Sequence, residues 1–190
     1  LIVAFAVSIP LGLIAAYRRD RWHDAVLRIM AILAYATPIF FVGLLLKLIF
    51  SVWLGWLPVS GRGSTRTELL MSGVDTPTGI YLLDAIRLGN GAAIGDVLWH
   101  AVLPAVALGL LTAGVFLRLI RTNVIGTLGQ QYVTSGRSRG VGEFRLVTRH
   151  AFRPALIPII TVMGMQVAML LAGAVLTETV FEWKGLGFML

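Results

Sequence analysis

Long apolar runs alternate with short polar stretches along this chain. Four runs carry almost no charge, at residues 1–16, 29–54, 99–120 and 154–177. A helix needs roughly 20 apolar residues to cross the ~30 Å hydrocarbon core of a bilayer. The pattern therefore predicts an all-α membrane protein with four spans. The first run is short, and we expect it to be a span that begins before Leu1.

Composition supports the membrane assignment. Of the 190 residues, 57% are hydrophobic and 13% are charged, whereas a soluble domain carries about 25% charged residues. A large buried core is the alternative explanation, but the apolar residues lie in runs too long for it. The chain has no cysteine, which excludes disulfides and thiolate metal sites, and we expect no metal site.

Charge predicts which connections face the cytoplasm. The net charge of +7 is compatible with nucleic acid binding, but arginines near span ends have a commoner cause in membrane topology. Residues 17–28 carry four arginines against two aspartates, and residues 118–153 carry seven arginines against one glutamate. Residues 55–99 and 177–190 are each net −1. We therefore expect the two arginine-rich connections in the cytoplasm, a lipid bilayer around the spans, and no nucleic acid partner.

The connection at residues 55–98 is expected on the outer side. Its eight glycines predict a turn-rich loop. Residues 77–88 could form a short helix with an apolar face, ending before Gly89. Two interpretations are open for this helix: a connector on the membrane surface, or a lid over a transport pathway.

The cytoplasmic connection at residues 121–153 is long for a simple turn and should have a structure of its own. Gly140-Val141-Gly142 divides it into two predicted helices, at residues 128–139 and 143–153. Two stripes follow on the second helix, one of Arg145, Arg149 and Arg153 and one of Phe144, Val147 and Ala151. Contact with lipid headgroups would explain the arginines. It does not explain the glycines, since each costs a surface helix about 1 kcal/mol.

Several motifs resemble one family in the expected order. YVTSGRSRG at residues 132–140, followed by Ile157 and Pro158, resembles the EAA motif of ABC importer permeases, in the YVRTARAKG version of the dipeptide, oligopeptide and nickel permeases. LPVSGR at 57–62, HAVLP at 100–104, RHAFRPALIP at 149–158 and TETVFEWKGLG at 177–187 also resemble that family. The resemblance covers nearly the whole chain.

Three departures from the family pattern matter. The acidic residue of the EAA motif is absent, with Ser135 in its vicinity, which puts any contact dependent on that acid in doubt. Gly136 and Ser138 replace alanines, which keeps the tip small. Lys184 stands where proline often precedes Gly-Leu-Gly, so the backbone there is expected to be less restricted.

The resemblance implies a polytopic helical bundle of the type I ABC importer permease class, with about four of six spans present. It also implies a coupling helix that docks on a cytoplasmic ATPase. The residues matched to that role are Ser135, Gly136, Arg137, Ser138, Arg139 and Gly140, with Glu143 and Arg145 at the edge. The implied partners are a second permease subunit in a hetero- or homodimer, ATP-binding subunits and an extracytoplasmic solute-binding protein. The implied location is a bacterial or archaeal cytoplasmic membrane, crossed several times.

The chain itself has no Walker-type glycine loop, HExxH or GxSxG motif, so we expect no catalytic residues in it. By the resemblance, this chain binds no cofactor, and ATP and magnesium belong to partner subunits. The expected function is that of a permease subunit in an ATP-driven peptide importer. Alternatives are the same family importing nickel chelates or glutathione and, more remotely, a membrane scaffold without transport.

Two charged residues are candidates for a translocation pathway. Lys47 is the only charge within the run at 29–54, and ionisable groups within spans often mark pathways. Its long side chain could instead reach the membrane interface. Glu178 follows the last run and could attract a substrate amine, pair with a partner subunit, or belong to a solvated rim.

Overall fold

The computed structural model describes residues 1–74, 78–173 and 175–185, and their regular structure is helical throughout. Helices α3 and α8 each continue into a π-helical segment, Lys47–Trp53 and Leu146–Ala151 respectively. In chain order the helices are α1 (Ile2–Tyr17), α2 (Trp22–Ala36), α3 (Ile39–Leu46), α4 (Thr65–Ser72), α5 (Tyr81–Arg87), α6 (Gly91–Leu128), α7 (Gln131–Ser138), α8 (Glu143–Arg145), α9 (Phe152–Gly173) and α10 (Val175–Val180).

The run at residues 29–54, expected to form one span, is divided. Helix α2 ends at Ala36 and α3 begins at Ile39. Proline has no N–H to donate and disfavours the helical conformation in the residue before it. Thr37, which precedes Pro38, accordingly has an extended ψ of 130°. The single-helix expectation for this run is therefore corrected to two helices, and the Thr37-Pro38 pair was the signal for the break.

Helix α6 extends beyond the run at residues 99–120 that marks it in the sequence. Its 38 residues correspond to about 57 Å at 1.5 Å per residue, well over the thickness of the hydrocarbon core. Among the described residues, α6 is the one continuous helix long and apolar enough to cross a membrane. The broken pair Trp22–Ala34 and Ile39–Trp53 would add a second span if counted together. Helix α1 is apolar but shorter.

The chain forms two compact units, the first of which comprises Leu1–Thr37 and Leu108–Leu171. Its core includes Phe116, Ile120 and Val124 of α6, all fully buried. Phe5 of α1 stacks on Phe116 with ring centroids 5.5 Å apart. The same core continues to Val133 of α7 and Leu146, so it supports the connection at residues 121–153 as well as α1.

The second unit comprises Pro38–Ala107 and Ala172–Leu190. Phe181 packs with Leu103 and Ala107 in a buried cluster, and Gly43 of α3 lets its ring approach closely. A smaller cluster joins α4 and α5 of the connection at residues 55–98 to the start of α6. Helix α5 lies within the predicted helix at 77–88, of which Pro77 lies outside the described residues. Helix α4 was not predicted.

Gly12 tests the packing of α1 on α6 in the first unit. A Cβ at Gly12 would lie 2.8 Å from Cγ2 and 2.9 Å from Cβ of Ile120. We expect Gly12→Ala to lower the free energy of unfolding by about 1–3 kcal/mol, because overpacking must displace Ile120. Thermal unfolding in detergent measures this.

The matched control is Gly126→Ala on an exposed part of α6, where an added Cβ meets nothing within 4 Å. Alanine is the better helix former by roughly 1 kcal/mol, so this variant should be at least as stable as the native chain. Equal melting temperatures for Gly12→Ala and Gly126→Ala would refute the packing described.

Candidate functional site

Helix α7 ends in a sharp turn at Gly140. The φ of Gly140 is +79°, a left-handed conformation that glycine adopts without steric cost. Its N–H donates to the Arg137 carbonyl at 3.0 Å, and the Val141 N–H donates to the Gly136 carbonyl at 3.2 Å. These bonds satisfy carbonyls that the helix end leaves open. The predicted division of the connection at Gly140 to Gly142 agrees with the structure.

An ion pair joins the two sides of this turn. The Arg137 guanidinium bonds both carboxylate oxygens of Glu143, the first through Nε and the second through Nη2 at 3.1 Å. The hydrogen bond from Arg137 is the main cause that lowers the pKa of Glu143, and the charge of Arg19 lowers it further. Both side chains are half exposed. The pair therefore clamps the turn on its solvent side.

Helix α7, the turn at Gly140 and the helix that starts at Glu143 form a helical hairpin, and Gly136 faces its interior. A Cβ added there would lie 3.0 Å from Cδ2 of Leu146, so the small residue lets α7 approach the following helix. Leu146 and Val147 are buried beneath it, as is Ala151. Phe144, predicted in the same apolar stripe, is 69% exposed and meets the Tyr17 ring edge-to-face at 6.0 Å.

The outer face of the hairpin is polar and combines small residues with exposed charged ones. Ser135 and Ser138 are exposed, and their hydroxyls donate to the carbonyls of Gln131 and Thr134 on the preceding turn. The other exposed residues of the predicted set are Arg137, Arg139, Gly140, Glu143 and Arg145. Arg149 and Arg153 extend the exposed arginine stripe beyond Arg145. The structure thus brings the predicted residues together, with Gly136 alone turned inward.

A buried ion pair in the first unit was missed by sequence reasoning. Arg121 of α6 donates from Nε and Nη2 to the two carboxylate oxygens of Asp24 in α2, at 2.5 and 2.6 Å. The backbone N–H of Asp20 adds a third bond at 3.1 Å. Asp24 is only 2% exposed. Its partner lies 97 residues away in the chain, so no local pattern reveals the pair.

The two pathway candidates both lie in the second unit. The Lys47 amine donates to the carbonyl of Val180, the last residue of α10, at 3.2 Å. A cation is favourable at the negative end of a helix. Glu178 belongs to α10 itself, and its carboxylate lies against Gly185. The structure therefore places both charges around one short helix.

Comparison with known proteins places this helical chain in a class. Residues 8–190 match the family of binding-protein-dependent transport system inner membrane components, and the chain belongs to that family. It is thus an inner-membrane component of a transport system.

Particular relatives are permeases named for peptides. The di/tripeptide transport system permease DppB of Pseudomonas aeruginosa is 42% identical over 176 residues, covering 93% of this chain and 51% of that protein. The dipeptide transport system permease DppB of Escherichia coli K12 is 39% identical over 187 residues, covering 98% and 55%. The peptide transport system permease SapB of Salmonella typhimurium is 36% identical over 187 residues, covering 97% and 57%. The chain thus spans about half the length of these relatives.

The Asp24–Arg121 pair generates a test of stability. Asp24→Asn leaves Arg121 without its charge partner, and breaking such a buried pair costs about 3 kcal/mol. We expect a clear fall in melting temperature in detergent at neutral pH. Asp20→Asn is the matched control, since Asp20 is 85% exposed and asparagine tolerates its positive φ.

The same pair predicts a pH dependence. The hydrogen bond from Arg121 is the main cause that lowers the pKa of Asp24, and burial partly opposes it. A lowered folded-state pKa stabilises the protein above the unfolded value of about 3.9, and this stabilisation is lost as the pH falls through the folded value. The melting difference between the native chain and Asp24→Asn should therefore shrink below about pH 4. A difference that grows on acidification would contradict the assignment.

Proposed function

We propose that this chain belongs to the permease subunit of an ATP-driven peptide importer, in which α7 is the helix that docks on a cytoplasmic ATPase. The observation that carries the proposal is the outer face of the hairpin, where Ser135, Ser138 and Gly140 are exposed and small. Small residues at these three positions allow the surface of a groove to approach the backbone of α7 closely. The family match and the peptide permeases among the relatives support the same function.

The proposed topology has four spans, with the arginine-rich connections in the bacterial cytoplasm. Charge supports this arrangement. The first unit carries eleven arginines against three acids, while the second carries five basic residues against six acids. Lysine and arginine near span ends favour the cytoplasmic side. Residues 55–98 would then face the outside, where a solute-binding protein delivers substrate.

Coupling in this proposal passes from α7 into α9. ATP and Mg²⁺ bind to the ATPase subunits, and closure of those subunits displaces α7. The clamp from Arg137 to Glu143 and the contact of Gly136 with Leu146 make α7 move together with the helix that starts at Glu143. That helix runs through the π-helical segment into α9 without interruption. A displacement at the tip therefore reaches the apolar residues of α9.

A second permease subunit would complete the pathway, as a copy of this chain or a related one. The names of the relatives favour di- and tripeptides over nickel chelates or glutathione as cargo. Lys47 and Glu178 are the charged candidates for contact with that cargo. Since Lys47 already bonds the end of α10, we assign it to fixing that helix at the pathway.

Ser138→Trp tests the docking face. Ser138 is exposed and ends an eight-residue helix, so tryptophan fits without displacing the core. We expect ATP-driven peptide uptake by the full-length transporter in proteoliposomes to fall by about tenfold or more, because the bulky ring obstructs a groove at a cost of about 1–3 kcal/mol. The melting temperature should stay within a degree or two of native.

Ser72→Trp is the matched control. Ser72 is also exposed, also ends an eight-residue helix, and its hydroxyl likewise bonds a backbone carbonyl of its own helix. It lies in the connection proposed to face outside, so uptake should remain near native. Full coupling of uptake to ATP hydrolysis in Ser138→Trp would refute the docking role of α7.

A further inference from the structure

The second unit contains a cavity of about 310 Å³ that the proposed coupling does not use. Ile80, Leu82, Val97 and Trp183 give it apolar walls. Arg62 and Lys184 are also among its lining residues, and no carboxylate side chain of the described residues lines it. The two charged residues that line the cavity are thus both basic, while the carboxylate of Glu178 lies against Gly185, another lining residue.

Arg62 is fixed in position at the cavity. Its guanidinium carbon lies 3.8 Å from the centroid of the Tyr81 ring. Its Nη1 donates to the Lys184 carbonyl at 2.9 Å and to the Gly79 carbonyl at 3.4 Å. These contacts join two segments of the connection at residues 55–98 to the segment that follows α10. These contacts therefore fix the position of the Arg62 guanidinium beside the cavity.

The charge of Arg62 lacks a counterion within the described residues. None of the ion pairs found there includes Arg62 or Lys184. The Nε atom of Arg62 is buried and has no acceptor. Asp84 is near the cavity wall, but it is buried and accepts from the backbone and hydroxyl of Thr78. A guanidinium whose Nε is buried without an acceptor is suited to bind an anion.

We propose that this cavity binds the C-terminal carboxylate of a short peptide, with the apolar side chain of its last residue against Trp183 and Leu82. The proposal rests on the proposed function and names a substrate feature for it. Guanidinium donors suit a carboxylate geometrically. The volume is at the lower end of the ~300–1,000 Å³ range of small-molecule sites, which fits one or two residues.

The apolar walls favour a peptide terminus over an acidic side chain from a docked protein. A C-terminal residue presents its carboxylate and a hydrophobic side chain from the same Cα, so it can satisfy Arg62 and cover Trp183 together. An aspartate or glutamate side chain presents a carboxylate on a short methylene stem. That stem would leave the wall formed by Ile80 and Leu82 uncovered.

Binding can be followed at Trp183 itself. The full-length permease is labelled with 5-fluorotryptophan and assembled with its partner subunits in nanodiscs. The ¹⁹F resonance of Trp183 is the one that disappears in the variant Trp183→Phe. The ligands are the dipeptide Leu-Phe and its C-terminal amide. We expect Leu-Phe to shift the Trp183 resonance saturably, and the amide to bind at least about tenfold more weakly because it lacks the charge.

Variants separate the cavity from general effects. Arg62→Gln should weaken Leu-Phe binding by about tenfold or more. Lys184→Gln should weaken it as well, and it keeps the backbone carbonyl that Arg62 bonds, so it tests the charge without removing that structural contact. Arg66→Gln, an exposed arginine of α4 in the same outer connection, should bind like the native protein. Equal binding of acid and amide, or native affinity in Lys184→Gln, would overturn the proposal.

Two further measurements show whether the bound carboxylate comes from a peptide or from the solute-binding protein, and whether a negative result concerns the cavity or the proposed function. Adding the solute-binding protein without peptide should leave the Trp183 resonance in place. A shift that depends on Arg62 would assign the cavity to that protein and overturn the peptide proposal. ATP-driven uptake of Leu-Phe is measured in the same preparation. Uptake without a Trp183 response defeats the cavity proposal alone, whereas absence of ATP-driven peptide uptake defeats the proposed function.

Discussion

The close approach of α7 to the helix that follows it is the contact on which this hairpin depends. Gly136 favours this approach, because a Cβ there would lie 3.0 Å from Cδ2 of Leu146 and the leucine side chain would have to shift. The approach buries Leu146 and Val147 and brings Arg137 within bonding distance of Glu143. With apolar residues inside and the ion pair at the edge, the outer face consists of the serines, Gly140 and exposed arginines. The same contact that stabilises the hairpin therefore also exposes the surface proposed to dock.

Two arginines show how differently one side chain is used in the two units. Arg121 has a buried carboxylate partner in Asp24 and serves to hold α2 on α6 in the first unit. Arg62 is fixed by carbonyls and an aromatic ring, with no carboxylate partner in the described part of the chain. A satisfied pair stabilises a fold, whereas an incompletely satisfied cation beside a cavity is suited to bind a ligand. This contrast is the physical basis for assigning Arg121 to structure and Arg62 to recognition.

Sequence reasoning succeeded where the determining signal is local. Gly140 and Gly142 mark the turn because two glycines close together interrupt a helical pattern. The apolar runs mark helices because of their length. The break at Pro38 was also local, but the long apolar run concealed it. The Asp24–Arg121 pair could not be predicted, since its members lie 97 residues apart. The inward orientation of Gly136 depends on Leu146, so the sequence placed the residue in the tip without revealing which way it faces.

Crosslinking from position 138 tests the central claim most directly. The chain has no cysteine, so Ser138→Cys introduces a single thiol in it, and Ser72→Cys gives the matched thiol on α4. Each variant is assembled into the full transporter and treated with a short bismaleimide. We predict a crosslink between position 138 and an ATP-binding subunit, dependent on a cysteine placed in the groove of that subunit, and none from position 72. The account would be contradicted if the thiol at position 138 reacts fully with a soluble maleimide in the assembled transporter but forms no crosslink to an ATP-binding subunit.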